Sequence, residues 1–192
     1  MNEEFIKVPK ERIGIIIGKE GATKELIEKT LFVALEISGD DSSVLVTDTE
    51  DTEDPLAVWK TRDMIKAIAR GFSPEKALLL KDDGTIVEVI DISEYTGKSQ
   101  NSLARLKGRL IGQEGKTRKY IESMTGAYLS IYGKTVSILG TFEDVYDAKK
   151  AVELLLSGKP HSGVYKYLDK VYKAKKDKSF AEMAKMSFDN SF

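Results

Sequence analysis

The sequence predicts an α+β protein built from two tandem units, each ordered β-α-α-β-β-α, with a three-stranded antiparallel sheet packed on helices and an extra helix after the second unit. Three observations predict it. One phrase is written twice: Ile17, Gly18, Glu20, Gly21, Thr23, Ile27 and Glu28 recur as Ile111, Gly112, Glu114, Gly115, Thr117, Ile121 and Glu122, always 94 positions on and without a gap. An internal repeat implies one structural unit used twice. Apolar spacing also alternates between periods of two and of 3.6 in the same order in both halves. Finally, each copy places a Gly-x-x-Gly step between two helical stretches, where the chain must turn sharply.

The first unit, residues 1–71, opens with an alternating strand at Glu4–Val8. Pro9–Ile17 reads as a short helix with proline near its start, where a missing N–H costs little. Gly18–Gly21 interrupts it, and Ala22–Leu31 resumes with Leu26, Ile27 and Thr30 expected inward. Val33–Ile37 and Val44–Thr47 are strands joined across Ser38–Ser43. Asp54–Gly71 reads as an amphipathic helix whose inner face is Leu56, Trp59, Met64, Ile65 and Ile68. Residues 72–84 form a linker with a turn or two of helix at Pro74–Leu80, and Leu78–Leu80 make it too apolar for a flexible tether.

The second unit, residues 85–158, repeats the order. Thr85–Asp91 is a strand, Ser102–Ile111 a helix, Gly112–Gly115 the loop and Lys116–Thr125 a helix. Tyr128–Ile131 and Thr135–Leu139 are strands across the tight turn Tyr132–Lys134. Phe142–Leu156 closes the unit, with Val145, Ala148, Val152 and Leu155 inward. In the Lys-rich tail, 159–192, Val164, Tyr165, Leu168, Val171 and Tyr172 recur at helical spacing, which predicts a helix over Val164–Lys178 that docks on the second unit and frays towards Phe192.

Composition narrows the chemistry. The chain has 192 residues, no cysteine and one histidine, so no disulfide framework and no thiolate or histidine-rich metal site is expected. No apolar run is long enough to span a bilayer and the N-terminus lacks a signal-peptide core, which suggests a cytoplasmic protein with no membrane partner. Abundant Lys and Glu without Cys would suit a hyperthermophile. The net charge of −1 conceals an asymmetry: residues 1–96 hold 12 Lys and Arg against 21 Asp and Glu, and residues 97–192 hold 18 against 10. A basic half points to a polyanionic partner, and the acidic run Asp48–Asp54 reads as a solvated loop.

Two glycines around two variable residues let backbone amides approach a ligand closely, and the next helix aims its free N–H groups and positive dipole end at the same point. That combination cradles a phosphodiester. Catalytic alternatives fail on their residues. Gly14–Glu20 looks faintly like a P-loop, but the spacing is one short and Glu20 stands where Ser or Thr should hold magnesium. No nucleophile–base pair is evident, and His161 beside Pro160 reads as a surface or capping residue. The expectation is a protein that is not an enzyme and needs no metal or cofactor.

The order β-α-GxxG-α-β-β-α, with Ile before the first glycine, resembles the type I KH domain. That family grips about four nucleotides of single-stranded RNA or DNA between the loop and a β-strand. The resemblance implies that Gly18, Lys19, Glu20 and Gly21, and again Gly112, Gln113, Glu114 and Gly115, hold the backbone. Apolar residues on the flanking helices and the middle strand would floor a base groove. Lys24 follows the first loop with Glu25 nearby, whereas Arg105, Lys107, Arg109, Lys116, Arg118 and Lys119 surround the second against Glu114 alone. Phosphate neutralisation dominates nucleic-acid affinity, so the second copy is expected to be the main RNA site. It departs from the family in having no basic residue between its glycines, a deficit the flanking cations must cover.

The second half matches more closely still. Gly-Arg-Leu-Ile-Gly-x-x-Gly-Lys-Thr-Arg at 108–118, Ile-Leu-Gly-x-Phe at 138–142, and Ser157-Gly-Lys-Pro followed by Val164, Tyr165 and Leu168 resemble the partner-of-Nob, or Dim-two, family of small-subunit ribosome assembly factors, in its archaeal form. That resemblance implies rRNA processing: binding near the 3′ end of small-subunit rRNA, with the Nob-type endonuclease and the alpha subunit of initiation factor two as partners. A general KH regulator of mRNA, or a scaffold that has lost most RNA binding, are the alternatives.

Overall fold

The computed structural model describes residues 2–97 and 99–189, without the side chains of 182 and 184–189. The elements follow the expected order: β1 (Glu3–Lys7), α1 (Lys10–Ile17), α2 (Ala22–Leu31), β2 (Val33–Ser38), β3 (Ser43–Asp48) and α3 (Ala57–Ala69), then α4 (Pro74–Ala77). The second copy supplies β4 (Thr85–Asp91), α5 (Gln100–Ile111), α6 (Lys116–Thr125), β5 (Tyr128–Tyr132), β6 (Thr135–Thr141) and α7 (Phe142–Leu156), and α8 (His161–Asp189) follows. The two sheets share one topology, β1-β3-β2 and β4-β6-β5, with the last strand of each copy in the middle. β1 pairs β3 antiparallel from Glu3↔Thr47 to Lys7↔Ser43, and β4 pairs β6 from Thr85↔Thr141 to Asp91↔Thr135.

By contact the chain divides into two compact bodies, residues 1–91 with 129–142, and residues 92–128 with 143–192. The first body holds the whole first copy and the second copy's sheet. Its core gathers Ile16, Ile27, Val44, Val46, Met64, Ile65 and Ile68, and the linker adds Ala77 and Leu80. Leu139 of the second sheet joins the same cluster. The end of α3 meets β5: the Ser130 hydroxyl donates to the Arg70 carbonyl at 2.9 Å, and the Tyr132 hydroxyl donates to the Glu11 carboxylate at 2.6 Å. Gly71 permits this approach. Its φ is +99°, and a Cβ there would stand 3.0 Å from the Tyr132 Cβ.

The second body is helical. α5 begins at Ser99, whose hydroxyl accepts the Ser102 N–H at 3.3 Å, a side-chain N-cap. Leu103, Leu106, Leu110, Ile121, Val145, Ala148, Val152, Leu155, Val164 and Leu168 are buried. Lys175 pins α8 to α7, donating to the Asp144 carboxylate at 2.6 Å and to the Thr125 carbonyl at 2.7 Å. The Tyr167 phenol, mostly through burial and then through the charge of Asp147, is held well above its ordinary pKa.

Several inward assignments change. Leu26 is 48 % exposed, because α2 buries only Ile27. Leu56 and Trp59 are also exposed. The helix starts at Ala57 rather than Asp54, because the Asp54 carboxylate turns back to accept the Leu56 N–H at 2.8 Å and to pair with Lys60 at 2.6 Å. Trp59 reaches across to β1, where its indole N–H donates to Glu4 at 3.1 Å. In the tail the helix runs well past Lys178, and Tyr172 lies on its exposed side. The fraying expected at Phe192 lies outside the described residues.

Candidate nucleic-acid interface

The two Gly-x-x-Gly loops have nearly the same backbone. Gly18 and Gly112 sit at φ/ψ of 74°/177° and 73°/173°, in a region that essentially only glycine occupies. Gly21 and Gly115 are left-handed, at 84°/3° and 77°/12°. Between them Glu20 and Glu114 are left-handed without being glycine, at φ 54° and 53°. The two glycines of each loop differ in what surrounds them. A Cβ on Gly18 or Gly112 would stand 2.7 Å from the amide nitrogen of Thr23 or Thr117. A Cβ on Gly21 would meet nothing within 4 Å, and on Gly115 only the Lys119 Cε, at 3.9 Å. The first glycine therefore closes the loop onto its helix, and the repeated threonine is its packing partner. The second leaves a space beside the helix N-terminus that a ligand can enter.

Neither α2 nor α6 carries a side-chain N-cap. The first amide of each, at Ala22 and Lys116, donates to the Lys19 and Gln113 carbonyls, so it is the amides after them that can meet an anion. The copies then diverge. The first turn of α2 contains Glu25, whereas that of α6 has no acidic residue. The pre-loop helices share one more feature at the same 94-residue offset that the sequence reading passed over: Gly14 and Gly108 are exposed, with no atom within 4 Å of where a Cβ would stand. They give α1 and α5 a bare stretch ahead of the loop, beside the exposed Ile17 and Ile111, each 37 % accessible.

The expected cations fall into three groups. Lys116 and Lys119 are exposed at the start of α6, and Arg105 is exposed on α5 with Lys107 half-buried beside it. Lys24 and Arg118 occupy matching positions and are each paired one turn on, with Glu28 and Glu122, both at 3.8 Å. Arg109 has a different task. Its guanidinium donates to the carbonyls of Leu155, at 3.3 Å, and of Lys159, closing the end of α7, while its own carbonyl contacts His161 Nε2 at 3.0 Å. Arg12 does the same work in the first copy, donating to Ile68 at 2.7 Å and Phe72 at 2.8 Å at the end of α3. The two arginines are one helical turn apart in the repeat frame, so aligning the copies hides their equivalence. Lys19, Glu20, Gln113 and Glu114 are exposed at the loop tips. Among the described residues no cluster of His, Asp and Glu is arranged to hold a metal, and no helix is long and apolar enough to cross a membrane.

Two antiparallel sheets of the order β1-β3-β2, each copy with a Gly-x-x-Gly turn entering its second helix, define a tandem KH-domain protein. Family models agree: residues 86–173 match a eukaryotic-type KH domain of type I, from the second KH domain of Pno1, and residues 5–83 match the Krr1 KH1 domain. The chain is 54 % identical over 167 residues to a KH domain-containing protein of Methanocaldococcus jannaschii, covering 87 % of this chain and 73 % of that one. It is 34 % identical over 117 residues to the RNA-binding protein pno1 of Ixodes scapularis, covering 60 % of this chain and half of the relative. Among solved structures, Dim2p of Pyrococcus horikoshii superposes with a TM-score of 0.84 at 46 % identity, covering 88 % of this chain and 99 % of that one. The same protein in a complex with a/eIF2alpha and rRNA gives 0.86 at 46 % identity, covering 90 % and 95 %. This chain belongs to the Dim2p/Pno1 family of KH-domain proteins.

Proposed function

We propose that this protein binds single-stranded RNA near the 3′ end of small-subunit rRNA, chiefly through its second Gly-x-x-Gly loop, and acts in ribosome assembly by binding rather than by catalysis. One observation carries the choice of loop: both have the same phosphate-ready backbone, but only α6 opens without an acidic residue and with Lys116 and Lys119 exposed beside it. The rRNA in the complex of the Pyrococcus relative supports the ligand class. The alpha subunit in the same complex supports the initiation-factor subunit as a partner, and family resemblance adds the Nob-type endonuclease. The first copy, in the acidic half, takes mainly protein-facing or architectural duty. Its surroundings repel a phosphate chain within a Debye length of about 8 Å at physiological salt.

The test is fluorescence anisotropy of the intact chain with oligomers from the rRNA 3′ end and with scrambled oligomers at one salt concentration. Preference for the 3′-end sequence is the expected result, and equal affinity for both overturns the rRNA assignment. Incubating the same oligomers with magnesium or manganese should leave their length unchanged. Cleavage that tracks the protein through purification would overturn the non-catalytic role.

A further inference from the structure

We infer that the second KH copy carries an additional nucleotide subsite outside the Gly-x-x-Gly loop, in the cleft between α6 and α8. The inference rests on RNA binding by that loop. The cleft has a volume of about 520 Å³ and is lined by Lys116, Lys119, Tyr120, Ser123 and Tyr165, within the range of small-ligand sites. Its chemistry is that of a base on an aromatic floor with a phosphate beside it. The Tyr120 and Tyr165 rings lie 4.6 Å apart, tilted by 55°. Both hydroxyls are tied back, Tyr165 to the Thr117 hydroxyl at 3.1 Å and Tyr120 to the Asp169 carboxylate, so the rings are held in place. Lys116 and Lys119 have no ion-pair partner among the described residues. Together they outweigh Asp169, whose carboxylate is turned onto the Tyr120 hydroxyl.

The cleft adjoins the loop. The Lys119 Cε is 3.9 Å from where a Cβ of Gly115 would stand, so one lysine borders both sites. A strand whose phosphate rests at Gly115 can place its next nucleotide against the tyrosines, where stacking tolerates any base. The first copy has no counterpart. Its matching positions are Ala22, Glu25, Leu26 and Lys29, with Lys29 paired to Glu25 at 3.1 Å. The cleft exists because α8 packs beside α6.

Length dependence of binding tests this. Wild-type chain and Ser123→Glu are titrated by anisotropy with a tetramer and an octamer from the rRNA 3′ end. Ser123 is exposed and outside the loop, so the variant should fold, which circular dichroism checks. The expected result is that wild type binds the octamer more tightly than the tetramer. Ser123→Glu should lower octamer affinity at least about fivefold, the low end for one stacked base, and leave the tetramer unchanged. Equal octamer affinity in both proteins, or an equal loss at both lengths, overturns the subsite without touching the loop. Failure of Gly115→Asp to weaken the tetramer overturns the loop reading itself. A second measurement uses 4-thiouridine octamers and mapping of the crosslinked peptide. Crosslinks to Tyr120 or Tyr165 support the subsite, and crosslinks confined to other segments refute it. If Ser123→Glu instead weakens only the binding of a polyglutamate peptide, the cleft takes acidic protein and the nucleotide assignment is wrong.

Discussion

Replacing Gly112 and Gly115 separately with alanine should divide the loop's folding from its binding. At Gly112, φ/ψ of 73°/173° costs a non-glycine residue about 1–3 kcal/mol. The new Cβ also stands 2.7 Å from the Thr117 amide nitrogen, so the loop or α6 must move, adding about 1–3 kcal/mol of overpacking strain. A chain of this size loses about 2–4 °C of Tm per kcal/mol, so Gly112→Ala should melt about 4–24 °C lower. Gly115 is an ordinary left-handed position with space around it, and Gly115→Ala should cost about 1–2 kcal/mol, or about 2–8 °C. Its methyl group nevertheless occupies the space beside the α6 N-terminus where a phosphate would lie. Gly115→Ala should therefore weaken RNA binding while the protein stays folded. Differential scanning calorimetry and anisotropy on the same preparations measure both effects. The reasoning fails if Gly112→Ala melts no lower than Gly115→Ala, or if Gly115→Ala binds RNA as wild type does.

Other expectations follow from the same contacts. In the intact chain, Gly115→Asp should weaken rRNA binding far more than Gly21→Asp, and equal losses in anisotropy would contradict the division of labour between the copies. Lys116→Ala or Arg118→Ala should weaken all sequences alike and make the log K against log[salt] slope shallower by roughly 0.7, whereas Arg109→Ala should show itself first as about 1–3 kcal/mol of lost stability in urea unfolding, because its donors close α7. Thr61→Val should raise Tm by about 2–4 °C, since the buried Thr61 hydroxyl has no hydrogen-bond partner among the described residues and removing it relieves roughly 1 kcal/mol of desolvation. The Tyr132 hydroxyl holds the Glu11 carboxyl below its usual value, so the contact is complete above the ordinary carboxylate pKa and is lost as pH falls through the lowered one. Tyr132→Phe should move the Glu11 midpoint upward in an NMR titration, and an unmoved midpoint would place the cause elsewhere.

The repeated phrase was enough to determine the fold and the loops. A gapless offset of 94 residues carries the same glycines, the same threonine behind the first of them and the same buried isoleucine, and local spacing alone dictates a helix, a turn and a helix. Strand β4 and helices α6 and α7 fall where alternation and helical periodicity place them, since each is read from its own residues. Tertiary structure decided what individual polar groups do. Arg109 counts as a phosphate ligand by charge and neighbourhood, yet its guanidinium lies beside carbonyls 46 and 50 residues away, which no local pattern encodes. Leu26, Leu56 and Trp59 fit an inward stripe but stay exposed, because burial depends on what packs against a helix and not on the helix alone. The cleft between α6 and α8 has no sequence signature at all. Tyr120 and Tyr165 become one site only because a tail helix folds back beside the helix that follows the loop.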